Sequence, residues 1–397
     1  MALPLQGIRV LDVSQVMAGP FCCMLLGDMG ADVVKVEPPG IGDQTRRSMG
    51  FRLNSDDSPG FLALNRNKRS ITINIKTEAG KKVFYRLVET ADVIVENNRP
   101  GVAKRLGIDY ETLRAINPGL IYASISGFGQ TGPYAQRPGF DLIAQAMSGV
   151  LSVTGTPGGE PVKSSVPVAD LGAGLFSLYA ILSAYIGRQT SGEGQYIDAS
   201  LLEAAMSLSI WEVTEFWGTG KVPQPLGTAN RMSAPYQAVK ASDGYLVVGA
   251  ANQKLWEAFC QVLGRPELFA DPRFVSNVER LANRAELIAE FEPIFLTATV
   301  DHWVEALLAA GIPAGPVHNF EQALGTEHAR QRNMVMDIAH PAEGSIKSLG
   351  FPVKLRGTPQ EVRYPPPMLG EHTQDILREI GMADAGAALA EQGAFSK

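Results

Sequence analysis

At 397 residues, with 45% apolar and 19% charged side chains, the chain has the composition of a folded protein of about two to three domains, which excludes a disordered one. A formal charge of −6 excludes nucleic acid and an anionic membrane as principal partners, so local basic clusters are left to serve small anions. Cys22, Cys23 and Cys260 offer neither a metal-ligand spacing nor a disulfide framework, and the vicinal pair reads as buried reduced thiol of a cytoplasmic protein.

The first elements set the fold class. Residues 8–13 read as a buried strand with no targeting or membrane-spanning run before them, 20–29 as a helix and 31–37 as a second strand. Strand, helix and strand within about thirty residues make a βαβ unit, hence an α/β fold with a Rossmann-like, doubly wound parallel sheet. Glu37 stands where a dinucleotide fold keeps its ribose-binding acid. The first turn, however, reads Gln15-Val16-Met17-Ala18-Gly19-Pro20 and lacks G-x-G-x-x-G, which argues against NAD.

Residues 38–58 read as a polar loop carrying Arg46 and Arg47. Arg66, Lys68, Arg69 and Lys76 flank a strand expected at 71–76, and they fit either phosphate binding or a solvated basic edge. A helix at 78–89 leads to a strand at 91–96, ending at Asn97, where open α/β sheets bind ligands. A strand at 120–126 runs into the loop Gly127-Phe128-Gly129-Gln130-Thr131-Gly132-Pro133. In Ser165-Val166-Pro167-Val168-Ala169-Asp170, a short segment ends in a carboxylate ahead of a long apolar helix running to about residue 186. Asp170 is then either an N-cap or an exposed nucleophile, with Gly172 and Gly174 admitting a backbone or ligand.

A helix at 205–218 is followed by the Pro/Gly-rich stretch 221–227, taken as a domain boundary. Residues 236–239 and 244–249 alternate like a hairpin, and helices follow at 254–263, 284–295 and 299–310. The domains are expected as 1–220 (large), 221–325 (small, α+β) and 326–397 (a C-terminal segment). The five histidines fall at unrelated spacings, so no metal site is expected, and His372 reads as a local hydrogen-bonding residue. Trp211, Trp217, Trp256 and Trp303 sit at helical positions and read as core. No G-x-S-x-G elbow is present.

Seven segments occur in order: 13–20, Gly30-Ala31-Asp32-Val33-Val34-Lys35-Val36-Glu37, Asn67-Lys68-Arg69-Ser70, 91–97, 127–133, Asp170 and Gly192-Glu193-Gly194-Gln195. The ordered set resembles the class III coenzyme A transferases over nearly the whole chain, to about Thr373, and most closely the succinyl-CoA:dicarboxylate branch with its glutarate-type enzymes. The resemblance implies an enzyme that moves CoA from an acyl-CoA, such as succinyl-CoA, to a carboxylic acid through Asp170. The intermediates are mixed anhydrides and an aspartyl-CoA thioester, and CoA is a substrate with no permanently bound cofactor. It places Gln15 and Val16 near the thiol end of CoA, and Ile73, Lys76, Asn97 and Arg105 at CoA contacts, with Lys76 and Arg105 as phosphate cations.

It also implies that the C-terminal segment rejoins a discontinuous large domain and that two subunits interlock as a homodimer. Residues 249–253 correspond to a glycine-rich shielding loop, here with fewer glycines. Two departures separate this chain from the formyl-transferring branch, which has Gln where Met17 stands, and Lys and Tyr where Pro138 and Phe140 stand. An α-methylacyl-CoA racemase is the nearest alternative; its catalytic His is replaced here by Phe140. A CoA-binding protein without turnover is the other. A dicarboxylate acceptor needs a cation for its second carboxylate, with Arg46, Arg47 and Arg231 as candidates.

Overall fold

The computed structural model describes residues 2–47 and 51–396. The chain divides into two compact units, residues 1–150, 164–209 and 328–397 forming the first and 151–163 and 210–327 the second.

The first unit is built on β1 (Arg9–Asp12), β2 (Asp32–Glu37), β3 (Lys68–Thr72), β4 (Val93–Glu96), β5 (Ile121–Ser126) and β6 (Tyr196–Ser200). All pair in parallel in the order β3-β2-β1-β4-β5-β6. This is the doubly wound order, reversing between β1 and β4. Side chains alternate between two cores. Val10, Val33, Val93 and Ala123 pack on α1 (Ala18–Asp28), whereas Leu11, Val34, Ile94 and Tyr122 pack on α2 (Glu78–Val88). Burial on both faces explains why these strands read as nearly continuous apolar runs. The first core also takes α3 (Asp141–Met147), α4 (Val168–Ser191) and α5 (Leu201–Leu208). By length and composition α4 could cross a membrane, yet it packs into this core through Ala169, Ala173, Leu178 and Ile181. Gly172 and Gly174 serve that packing: a Cβ on Gly174 would meet the Ala18 carbonyl at 2.8 Å, and one on Gly172 would meet Leu208 at 2.9 Å.

The strand expected at 71–76 instead begins at Lys68, so its cations are inside the sheet. Neither reading of that basic run holds for Arg66, Lys68 and Arg69. Arg66 pairs with Asp28, Arg69 with Asp32 and Glu379, and Lys68 Nζ donates to Asp12, Asn65 and the Pro20 carbonyl, all at 2.8 Å. Residues 361–379 dock beside β3. Arg363 donates to the Gly27 and Ala31 carbonyls, Gly370 N–H donates to Ser70 Oγ, and His372 Nδ1 accepts the Ser70 N–H at 3.2 Å. Burial holds the His372 imidazole below its usual pKa.

The second unit carries α6 (Ile210–Thr219), β7 (Tyr236–Lys240), β8 (Tyr245–Gly249), α7 (Gln253–Val262), α8 (Arg284–Phe295), α9 (Val300–Ala309) and β9 (Ala314–Pro316). The expected hairpin is an antiparallel pair, extended by β9 to three strands. The helix expected at 205–218 breaks at Ser209, dividing α5 from α6. Trp256 and Trp303 lie in this unit's core, but Trp211 and Trp217 stand 61% and 77% exposed on α6. Two of the four tryptophans are thus corrected from core to surface. Within the 249–253 segment, the Asn252 side chain caps α7 by accepting from Leu255 N, and Gln253 is the first residue of that helix.

Candidate functional site

At the point where the strand order reverses, the turns after β1 and β4 face each other across a gap, the usual ligand position in such sheets. Two hydrogen bonds join them. Gln15 N donates to Asn97 Oδ1 at 2.8 Å, and Asn97 Nδ2 donates to the Gln15 carbonyl at 2.6 Å. The next residue, Val16, has φ +70°, a conformation that costs a β-branched residue about 1–2 kcal/mol. Its N–H donates to Asp43 Oδ1 at 3.2 Å.

Asp43 is anchored from behind. Lys35 Nζ lies 2.9 Å from Asp43 Oδ2, 3.1 Å from the Ser14 carbonyl and 3.5 Å from Asp12. Lys35, Asp12 and Lys68 are fully buried, and Asp43 nearly so. Burial raises the Asp43 carboxyl pKa, but Lys35 and the Thr45 hydrogen bonds outweigh it and hold the group well below the usual range. Glu37, at the ribose-acid position of a dinucleotide fold, is also structural, since Arg46 donates to both its oxygens and to Asp57.

These turns open on a cavity of about 400 Å³, within the ~300–1,000 Å³ range of small-molecule sites. Gln15, Val16, Asn97 and Asp170, all expected from the sequence, line it together with Met17, Gln44, Asn98, Arg99, Ser126 and Phe140. Gly127 and Gly139 form another part of the wall, where a Cβ on either would come within 2.9 Å of the other's Cα.

Asp170 is not the N-cap of α4. It lies in the first turn, and the cap is supplied from α3: Asp141 Oδ1 accepts from Ala169 N at 2.9 Å and Asp170 N at 3.2 Å. Asp141 is steadied in turn by Gln145, whose Nε2 donates to Asp141 Oδ2 at 2.6 Å while its Oε1 accepts from Ser164 N. With the cap already filled, the Asp170 carboxylate accepts no hydrogen bond from any described residue. Burial and then the nearby Asp141 charge push its pKa up to about 7. The site therefore presents a carboxylate that is poorly solvated and unpaired, which is the condition of a reactive one.

The other expected positions lie elsewhere. Lys76 and Arg105 are exposed and without ion pairs among the described residues; Arg105 is on the short helix Val102–Leu106 that begins at the cavity wall. The Ile73 side chain is buried in the second core and its N–H is bonded to the Glu37 carbonyl.

The sequence profile of CoA-transferase family III matches residues 5–373. The chain belongs to that family. It is 43% identical to an acyl-CoA transferase of Fusarium pseudograminearum, over 98% of this chain and 88% of the relative. It is 39% identical to the succinyl-CoA:glutarate CoA-transferase of Mus musculus, over 97% and 88%. A CAIB/BAIF family crystal structure from Brucella suis superposes with a TM-score of 0.85 at 37% identity, over 96% of this chain and all of that one. This transferase is thus an enzyme that moves CoA, on an α/β fold shared with solved relatives.

Of the arginines expected to hold a second carboxylate, Arg46 and Arg47, in the same unit as the cavity, do not line it. Arg46 is buried against Glu37 and Asp57 with its guanidinium over Phe61, and Arg231 is paired with Glu212 and Glu215. Arg47 is exposed and donates to the Gly40 carbonyl. Arg99, missed in the sequence, is the cation that lines the cavity; its place two residues beyond Asn97, at the end of β4, was the available signal.

Proposed function

We propose that this transferase moves CoA from an acyl-CoA donor, succinyl-CoA among them, to a short dicarboxylic acid through covalent intermediates on Asp170. The observation that carries the reading is the Asp170 carboxylate itself, unbonded, raised in pKa and facing a cavity at the sheet's switch point. Its oxygen attacks the thioester carbonyl carbon, the C–S bond breaks and CoA leaves as thiolate, giving a mixed anhydride. The thiolate then attacks the Asp170 acyl carbon, releasing the donor acid as carboxylate and leaving an aspartyl-CoA thioester. The acceptor carboxylate repeats the sequence in reverse, and Asp170 is restored. Splitting one exchange into acyl transfers of similar energy lowers each barrier.

Gln15, Val16 and Asn97 shape the thiol end of the site, and Lys76 and Arg105 are the cations assigned to CoA phosphates. The glutarate-directed activity of the murine relative supports a dicarboxylate acceptor. A homodimer covering the exposed apolar residues of α6, such as Ile210, Trp211 and Trp217, accords with the same reading. Phe140 lines the cavity where a racemase would need a proton-exchanging side chain, which favours CoA transfer.

The test is mass spectrometry after incubation with donor acyl-CoA alone. The enzyme should gain the mass of CoA less water, and hydroxylamine should convert the site to a hydroxamate on the peptide containing Asp170. Asp170→Ala should give no adduct. An adduct on a cysteine, or an active Asp170→Ala, would overturn the mechanism.

A further inference from the structure

Part of the cavity wall is the base of a loop whose two feet touch. Gly127 follows β5, residues 128–138 run outward, and Gly139 returns to the wall, where a Cβ would meet Gly127 Cα at 2.9 Å and the Phe128 ring at 3.1 Å. The next two residues belong to the site. Phe140 lines the cavity, and Asp141 Oδ1 accepts from Ala169 N and Asp170 N. The place of the second foot therefore sets the place of Asp141 at the head of α4.

The outer part of the loop supplies no anchor. Among the described residues, the hydrogen bonds of 131–138 stay within that stretch, from Ala135 N to the Gly132 carbonyl and from Arg137 N to the Tyr134 carbonyl. The ties to the sheet are all at the first foot. Leu202 N donates to the Gly127 carbonyl at 3.1 Å, and Gly129 N donates to Ser126 Oγ at 2.9 Å. Gln130 makes the rest: its N–H donates to both Asp198 oxygens, at 3.1 and 2.9 Å, and its Nε2 donates to Ser124 Oγ at 2.9 Å. Asp198 is on β6, and Ser124 is a fully buried residue of β5. No bulk water replaces a donor lost from that hydroxyl, so the bond counts in full.

We infer that Gln130 is a positioning residue for the reaction at Asp170, fixing the 127–139 loop to β5 and β6 so that its base keeps water from the aspartyl-CoA thioester. This rests on the aspartyl-thioester reading above. In the second half of the exchange the acceptor carboxylate attacks the Asp170 acyl carbon, and water competes for the same carbon. When water attacks, the C–S bond breaks, the CoA thiolate takes one water proton, the other goes to solvent, and Asp170 is restored as carboxylate. Gly127, Gly139 and Phe140 offer water no hydrogen-bonding side chain, and a wall held in one place excludes it.

The test measures two rates on the full-length protein with succinyl-CoA as donor: release of free CoA without acceptor, less the enzyme-free rate, and formation of glutaryl-CoA with glutarate. Gln130→Leu and Ser124→Ala cut the same bond from either end. Each should raise the ratio of hydrolysis to transfer by about 2- to 10-fold, the weight of one hydrogen bond, and the double variant should raise it no further. A folding defect lowers both rates together and leaves the ratio in place. A ratio equal to wild type in both single variants overturns the inference, as does a double variant whose factor is the product of the two. Adduct formation on wild type is scored in parallel. An adduct with an unmoved ratio removes the role of Gln130 alone, whereas no adduct removes the aspartyl-thioester reading and this inference with it.

Discussion

Two regions on either side of the first turn treat charge in opposite ways. Behind the first turn, Asp12, Lys35, Asp43 and Lys68 form a buried network in which every charge has a counter-ion and further hydrogen bonds. In front of it, in the cavity, Asp170 and Arg99 have none from the described residues. Opposite charges buried together within ~4 Å cost little net free energy once paired, but leaving one partner behind is expensive. The unpaired Asp170 carboxylate is largely buried and held at a cost to stability, whereas the exposed Arg99 stays solvated at little cost. The difference separates residues that build the site from residues that use it.

The sharpest way to break that division is to remove one charge from each region. Lys68→Met should destabilise the fold by ~3–5 kcal/mol, because Asp12 and the Pro20 carbonyl lose a buried donor. Arg99→Met should change stability by no more than about 0.5 kcal/mol. Urea unfolding of both variants decides the matter. Equal losses would mean that Arg99 has a structural partner after all.

The same division sets what could be read from the chain. The βαβ start, the strand end at Asn97 and a carboxylate at the head of a long apolar helix are local patterns and were legible, although Asp170 lies inside the first turn and not ahead of it. The edge of β3 was not. Arg66, Lys68 and Arg69 look like a solvated run, and only Asp28, Asp12, Asp32 and Glu379, brought in from distant segments, pair them inside the fold. The cap of α4 failed for a similar reason. Asp141 lies 29 residues before Asp170, and nothing in the local pattern shows that it fills the cap and frees the later carboxylate. Arginine carries no mark in the sequence of whether it is paired, so Arg46 and Arg231 looked as available as Arg99.

A second test of the comparison uses pH. Folding raises the Asp170 pKa from 3.8 to about 7, so the folded state binds a proton that the unfolded chain has already lost between those values. Stability therefore falls as pH rises through this window: the penalty is absent below pH 4 and complete above pH 7. At ~1.36 kcal/mol per pKa unit the ceiling is about 4 kcal/mol, and partial solvation brings it to roughly 2–4. Asp170→Asn should be more stable than wild type at pH 8 by that amount, with the gain shrinking to nothing near pH 4. Denaturation at several pH values measures it, and a pH-independent difference would mean the carboxylate is not strained. In the active enzyme the same group should give kcat/KM a rising limb near pH 7.

The smallest expected effect lies where the two regions meet, at Val16, whose N–H is tied to the buried network through Asp43 while its side chain faces the cavity. At φ +70° a valine is strained by about 1–2 kcal/mol, and glycine would relieve this while adding ~0.5–1 kcal/mol of unfolded-state entropy. Val16→Gly should therefore be more stable than wild type by about 0.5–1 kcal/mol, and its kcat/KM should fall because the turn no longer holds a single conformation against the reacting end of the substrate. Stability and activity moving in opposite directions is what a strained turn kept for function requires. A variant that loses stability by more than about 1 kcal/mol would show instead that the valine side chain stabilises the turn, and would move Val16 from the second region to the first.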